Sequence, residues 1–254
     1  MINRIFHKIW FGLEVLKIYK TWPIAFLDYF GLIRNKMVIH TLRDGTRYEI
    51  RAGTNDFGII NEVYIVKEYH PLLKFIKRDS VIIDIGAQIG AFSIFASRIA
   101  KNGRVFSFEP FAENFKMLKK NISLNSAFNI LPIEKAVGGK EGKRDLVISK
   151  ENSGGHSFYE TRGEKVGVDT ITLKQVFEMN KISKCNFLKM DCEGAEFEIL
   201  FNTPKKYLAK IDSIAMEYHS EGGNVLELKE FLEDGGFKTK LSKEVACGML
   251  YAWR

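Results

Sequence analysis

Residues 81–96, VIIDIGAQIGAFSIFA, are apolar at almost every position until an aspartate and two glycines interrupt the run. The continuous stretch Val81, Ile82, Ile83 and Ile85 is what a strand shows when both of its faces are covered, as in a parallel sheet. After Gly86 and Gly90, the apolar residues Phe92, Phe95, Ala96 and Ile99 recur at helical spacing, which predicts strand, glycine turn, helix. The alternation continues with strand RVFSFE, a helix carrying Phe115, Leu118 and Ile122, and NILPIEKAV. It resumes with a helix near TLKQVFEM, strand NFLKMD, helix AEFEILF, strand SIAMEYH, helix VLELKEFLE, and strands FKTKL and GMLYAWR. Repeated strand-helix units imply right-handed crossovers and an α/β, Rossmann-like doubly wound sheet. The interruption, about residues 139–168, holds short strand-like pieces RDLVIS and EKVGV around the loop ENSGGHSF, and reads as an inserted hairpin.

Ahead of this domain, residues 1–78 follow other periods. MVIHTLRDGTRYEIRAG alternates on both sides of Asp44-Gly45, which predicts a hairpin with a type I′ turn. DFGIINEVYIVKEYH carries Ile59, Ile60, Val63 and Val66 at helical spacing, with Pro71 closing the element. At the start, Ile2, Ile5, Phe6, Ile9, Leu13 and Leu16 fall on one helical stripe while Arg4, Lys8 and Lys17 lie largely off it. A helix packed on its own domain or on a second subunit has this pattern, and so does one lying in a membrane interface. The charges interrupt the segment, so it is expected neither to be a signal peptide nor to span a bilayer, which takes roughly 20 apolar residues. The chain thus divides into an N-terminal extension, 1–78, and a wound α/β domain, 79–254.

Composition narrows this picture only slightly. A chain of 254 residues that is 46% hydrophobic can bury a large core. A net charge of +7 suits an anionic partner, yet no run of five basic residues marks a nucleic-acid footprint. Cys185, Cys192 and Cys247 lack metal-ligand spacing and are odd in number, which predicts a reducing compartment, the cytoplasm.

Ligands of open α/β sheets bind outside the carboxyl ends of the strands. Those ends here carry Asp84, Glu109, Asp191 and Glu217 with His219. The turn Gly86-x-x-x-Gly90 departs from the G-x-G-x-x-G fingerprint that cradles a pyrophosphate, so a nicotinamide cofactor is disfavoured. Glu109, ending the strand after that turn, stands where a carboxylate accepts both ribose hydroxyls. A nucleoside without a pyrophosphate fits, and S-adenosylmethionine is one.

The motifs DIGAQIG, FSFEPFAENFKMLKKNISLN, AVGGKEG, NSGGHS, VDTITL, LKMDCEGAEFEIL and MEYHS, in this order from about residue 56 to the C-terminus, resemble the FkbM family of S-adenosylmethionine-dependent methyltransferases. KMDCEGAE is the most specific of them. Gln88 departs from the asparagine more usual there. The resemblance implies seven strands with the last antiparallel, and O-methylation, often of sugar hydroxyls in glycans or of natural products. It implies a cofactor site at Asp84, Gly86, Ala87, Gly90, Glu109, Pro110, Phe111, Ala136 and Asp191. Phe111 suits adenine contact or core packing, and Ala136 and Val137 could offer backbone groups to adenine.

A neutral alcohol is a poor nucleophile, so a positioned base should take its proton while the acceptor is held in near-attack geometry. Asp191 and His219 are the candidate bases, with Glu193 and Glu217 as orienting groups. Each has a structural alternative: Asp191 and Glu193 as caps of the helix near Gly194, His219 as a rim histidine. The four could also ligate magnesium or manganese, although no ligand spacing demands it and no metal is expected. The glycine loop with His156 reads as a substrate lid or a plain surface loop. Cys192 reads as a packing residue. The acceptor expected is a small molecule or glycan, the N-terminal helix offers a peripheral membrane contact, and nucleic acid is disfavoured because neither a D/N-P-P-Y nor a Pro-Cys motif is present. A cofactor-binding protein without turnover is the alternative from another class.

Overall fold

The computed structural model describes residues 2–148, 156–158, 163–242 and 247–254, with side chains from residue 9 onward. The chain opens with α1 (Ile2–Ile18), α2 (Trp22–Tyr29), the hairpin β1 (Met37–Thr41) and β2 (Arg47–Arg51), and α3 (Asp56–Asn61). The wound region contains β3 (Val81–Ile85), α4 (Ala91–Ile99), β4 (Arg104–Phe108), α5 (Ala112–Leu124) and β5 (Ile130–Ile133). Then come β6 (Ala136–Gly138), β7 (Gly142–Ile148), β8 (Glu164–Thr172), α6 (Leu173–Met179), β9 (Phe187–Met190), α7 (Glu196–Phe201) and α8 (Lys205–Leu208). The chain ends with β10 (Ser213–His219), α9 (Val225–Asp234), β11 (Lys238–Leu241) and β12 (Cys247–Trp253).

Seven strands form one sheet in the order β11-β12-β10-β9-β3-β4-β5. Pairs among β3, β4, β5, β9 and β10 are parallel, while β12 runs antiparallel to both β10 and β11. The α/β, Rossmann-like fold with an antiparallel last strand expected from the sequence is therefore the fold observed. The strand period of two explains how these apolar runs are used. Ile82, Val105 and Phe187 pack on one face with α4, α5 and the N-terminal residues, and Ile83, Ile85, Phe106 and Leu188 on the other with α6, α7 and α9. Residues before 79 thus share one core with the sheet. The inserted hairpin is β7 and β8, which with β6 form a separate three-stranded sheet.

Two local expectations are corrected. The β1-β2 turn is not type I′, which needs positive φ at both central residues. Only Gly45 has one (φ 88°), Gly45 N-H donates to the Leu42 carbonyl and Leu42 N-H to that of Thr46. That is the three-residue turn with a left-handed glycine, in which Asp44 needs no strained backbone. Nor does Pro71 end the α3 region. That helix loosens into a π-turn over Glu62–Val66 and stops at Lys67, whose left-handed backbone (φ 65°) lets its N-H reach the Glu62 carbonyl. Pro71 instead lies at the start of a 3-10 turn, His70–Phe75.

Candidate active site

The chain winds from β3 outward through β4 to β5, then returns on the other side of β3 to build β9 and β10, so a crevice opens at the carboxyl ends where the winding reverses. There lies a cavity of about 290 Å³. The strand ends supply Gly86, Ala87, Glu109, Pro110, Lys189, Asp191, Glu193, Glu217 and His219 to its wall, and Ala136 and Val137 join from β6. The N-terminal extension closes the other side with Asn55, Ile59, Glu62, Val63 and Tyr69.

Glu109 is buried, and each of its oxygens accepts one backbone N-H: Oε2 from Gln88 at 2.9 Å and Oε1 from Phe111 at 2.9 Å. Burial pushes its pKa up to about 7, against the lowering effect of these bonds. A carboxylate oxygen accepts at two positions, so each keeps one for a ligand hydroxyl. A vicinal diol matches that donor demand. At Gly86 (φ 75°) a Cβ would meet the Asp191 carbonyl at 1.8 Å, so only glycine lets β3 turn this close to the β9 loop. The pieces required for a nucleoside without a pyrophosphate fit the residues present.

Three of the residues expected at the cofactor stand behind the wall. Asp84 is fully buried beneath the turn, accepting from Ser93 Oγ at 2.5 Å and pairing with Lys189 Nζ at 3.3 Å, because its side chain leaves β3 toward α4 and β9. Gly90 (φ 89°) precedes α4 against Leu118. Phe111 holds Glu109 through its backbone, and its ring sits 4.5 Å from that of His156. Gln88 spends its side chain on Asp56 Oδ1 at 3.2 Å and on Ile89 N-H at 2.7 Å, fastening the turn to the N-terminal extension. Arg51 completes that clamp, with Asp56 at 2.8 and 2.9 Å and Asn114 of α5 at 2.7 Å.

At the opposite side of the cavity the structure assembles Asp191, Glu193, Glu217 and His219. Neither Asp191 nor Glu193 caps α7. Its N-cap is Ala195, with no side-chain cap, and the buried carboxylate of Glu196 instead fastens the preceding loop, accepting from Cys192 N-H at 2.7 Å and Gly194 N-H at 2.9 Å. The loop so held places Glu193 in a left-handed conformation (φ 52°), a strain that concentrates at functional sites. His219 faces Glu193 at 3.5 Å and Glu196 at 3.7 Å. Burial would lower its pKa, but Glu196, Glu193 and Asp191 outweigh that and hold it up at about 9. Burial pushes Glu193 up to about 7, with His219 opposing and Asp191 and Glu217 adding. Glu217 rises for the same reasons, burial first and Asp191 next, while the Cys247 thiol, donating at 2.9 Å, restrains it. Cys192 is raised well above the usual thiol range, by burial and then Glu196, and so is no nucleophile.

Two groups escaped sequence reading. Glu62 is delivered by the π-turn, and burial with the charges of Glu68 and Asp191 pushes it up to about 8. No local pattern singles it out. Lys189, almost fully buried, donates to the Gly86 carbonyl at 2.6 Å and pairs with Asp84 and Asp191. Burial would lower its pKa, yet the two aspartates raise it. A lysine inside FLKM, otherwise an interior strand, is the signal that could have found it. Of the glycine loop, residues 151–155 lie outside the described residues. His156 and Phe158 line the cavity, and Ser157 donates to the Glu193 carbonyl at 2.8 Å. Among the described residues, Asp191, Glu193 and His219 bring ligand atoms within 4.8 Å of one another, as do Glu217, His219 and Cys247.

A model of the methyltransferase FkbM domain matches residues 84–239, more than half of the chain. Hexuronic acid methyltransferase AglP of Haloferax volcanii is 23% identical over 220 residues, covering 84% of this chain and 86% of that protein. Methyltransferase 1 of Beauveria bassiana is also 23% identical, over 65% of this chain and 75% of its own length. Among solved structures, M. jannaschii TYW2 in complex with AdoMet aligns over 87% of this chain and 85% of its own, with a TM-score of 0.49 and 15% identity. The family match spans the glycine turn, Glu109 and the acidic loop together. The chain therefore belongs to the FkbM family of S-adenosylmethionine-dependent methyltransferases.

Proposed function

We propose that this methyltransferase methylates a hydroxyl of a sugar, glycolipid or related small molecule, with Glu193 as the base. The observation that carries this reading is one cavity with a diol-accepting carboxylate, Glu109, on one side and the carboxyl cluster Asp191, Glu193 and Glu217 beside His219 on the other. S-adenosylmethionine supplies an electrophilic methyl group on a sulfonium. Glu109 accepts the ribose hydroxyls, and the backbone at Gly86, Ala87 and Ala136 lies along the same wall. Glu62, raised to about 8, donates a hydrogen bond to an acceptor oxygen as a carboxylic acid.

A general base works best with a pKa near the operating pH, and Glu193 at about 7 meets that condition. His219, at about 9, is an imidazolium at neutral pH, so it orients Glu193 and is assigned no base role. Asp191 is engaged with Lys189 at 3.7 Å. The resemblance to a hexuronic acid methyltransferase supports a sugar acceptor. Three free thiols, Cys185, Cys192 and Cys247, support a reducing compartment. Among the described residues no helix is long and apolar enough to cross a membrane.

The test is release of S-adenosylhomocysteine in the presence of hexoses, hexuronic acids and glycolipids, with cofactor affinity titrated separately. Glu193→Gln should bind cofactor normally and lose about 10²–10⁴-fold in kcat. Turnover within a factor of about three of wild type would remove Glu193 as base, because general-base catalysis is worth far more.

A further inference from the structure

The stripe that the sequence places on α1 does not face the core. Phe11, Val15 and Ile18 turn inward, Val15 being fully buried, while Ile9, Leu13 and Leu16 are 56%, 51% and 37% exposed. So α1 has two apolar faces, and its own domain covers only one. α2 packs beside α1, its Phe26 against Gly12 and its Tyr29 against the inward-turned Phe11, and adds exposed apolar side chains of its own. Phe11 meets Tyr29 at 4.8 Å between ring centroids, and Tyr29 meets Phe30 at 5.2 Å. Trp22, Phe26 and Phe30 follow at helical spacing with rings 6.0 and 6.3 Å apart. Trp22, Phe30 and, just beyond, Leu32 are 41%, 62% and 71% exposed.

Charge decides what can cover this surface. Residues 1–36 carry Arg4, Lys8, Lys17, Lys20, Arg34 and Lys36 against Glu14 and Asp28 alone, and Asp28 is buried. Exposed Arg43 donates from Nε to the Leu16 carbonyl at 3.0 Å, adding a cation beside the stripe. A second copy laid on this face would set cations against cations. An anionic bilayer offers apolar depth for the leucines, an interface for the tryptophans and tyrosine, and opposite charge for the rim.

The face also borders a groove that has one residue in common with the active-site cavity. An open groove of about 550 Å³ runs beside Phe11, Tyr29, Phe30, Phe57 and Val66, and Glu62 lines both this groove and the active-site cavity. We propose that the α1-α2 face docks on an anionic membrane surface, presenting the groove, and through it the active site, to acceptors carried in that membrane. The acceptor clause rests on the methyltransferase reading above; the docking itself does not.

The test is co-sedimentation of the full chain with phosphatidylcholine vesicles, and with vesicles in which phosphatidylglycerol makes up about a third of the lipid, at low and high salt. The comparison is with Ile9→Glu/Leu13→Glu/Leu16→Glu, three exposed sites whose change spares the core, as an unaltered S-adenosylmethionine titration would verify. Wild type should bind the phosphatidylglycerol vesicles at least roughly tenfold better than phosphatidylcholine alone, more weakly in salt, and the triple variant should lose about tenfold or more. Absence of vesicle binding, or equal binding by the variant, would overturn the proposal. So would a dimer in light scattering that the triple variant makes monomeric, since a second copy would then cover the face. Because docking is read without turnover and cofactor binding without lipid, failure of one reading is separable from failure of the other.

Discussion

Replacing Lys189 by Met tests whether the buried charges under the cavity are held together by one lysine. Lys189 is 4% exposed and Asp84 is fully buried, with Nζ 3.3 Å from Asp84 Oδ1 and 2.6 Å from the Gly86 carbonyl. Methionine fills much of the same volume, so the change removes charge and hydrogen bonds more than packing. It strands the Asp84 carboxylate, whose remaining side-chain donor is the Ser93 hydroxyl at 2.5 Å. Breaking a buried pair from one side costs about 3–5 kcal/mol. For a chain of this size that corresponds to a fall in Tm of roughly 6–20 °C. Adding Asp84→Asn removes the stranded charge, so the double variant should regain about half of the loss or more, because a buried pair replaced as a unit is often nearly neutral. Urea unfolding of wild type, both single variants and the double variant gives the cycle. A loss below about 1 kcal/mol for Lys189→Met, or a double variant as unstable as the two single changes added together, would refute the reasoning.

Other outcomes follow from the same geometry. Glu109→Gln should weaken S-adenosylmethionine binding by roughly 10–150-fold, the worth of hydrogen bonds to a charged group, with calorimetry as the check; affinity within about twofold of wild type would exclude the ribose role. The raised pKa of His219, about 9 against an ordinary 6.5, contributes stability that is complete below pH 6.5 and lost as pH rises through about 9. In His219→Asn the Tm should therefore decline less than wild type between those values, and parallel curves would refute the charge assignment. With Glu193 as base, kcat/KM should rise with pH through about 7, and a profile flat from pH 5 to 9 would count against it. EDTA should leave turnover unchanged although Asp191, Glu193 and His219 converge, because Glu193 alone supplies the base; loss restored by magnesium or manganese would move that triad to a metal role.

Much of the cavity rim was legible in sequence because parallel strands all end on one side of the sheet. Once Val81–Ile85, RVFSFE, NFLKMD and SIAMEYH are recognised as strands, Glu109, Asp191, Glu217 and His219 must stand near one another, and the Gly86 turn among them. The same strand-end logic put Asp84 at the cofactor, whereas its side chain lies beneath the turn on Ser93 and Lys189.

The sequence by itself determined the sheet, its doubly wound order and the rim of acids, since period-two and helical periodicities are local and each selects its element and buried face. Tertiary structure decided the rest. Glu62 reaches the cavity only because the N-terminal extension folds over the strand ends, a contact between segments with no shared local pattern. The protonation states of Glu193 and His219 arise from burial and from charges brought together across separate loops. The direction of the α1 stripe was equally hidden, because α1 has apolar residues on two faces and spacing cannot say which one meets the core. Packing settled it, burying Val15 and leaving Leu13 in the open.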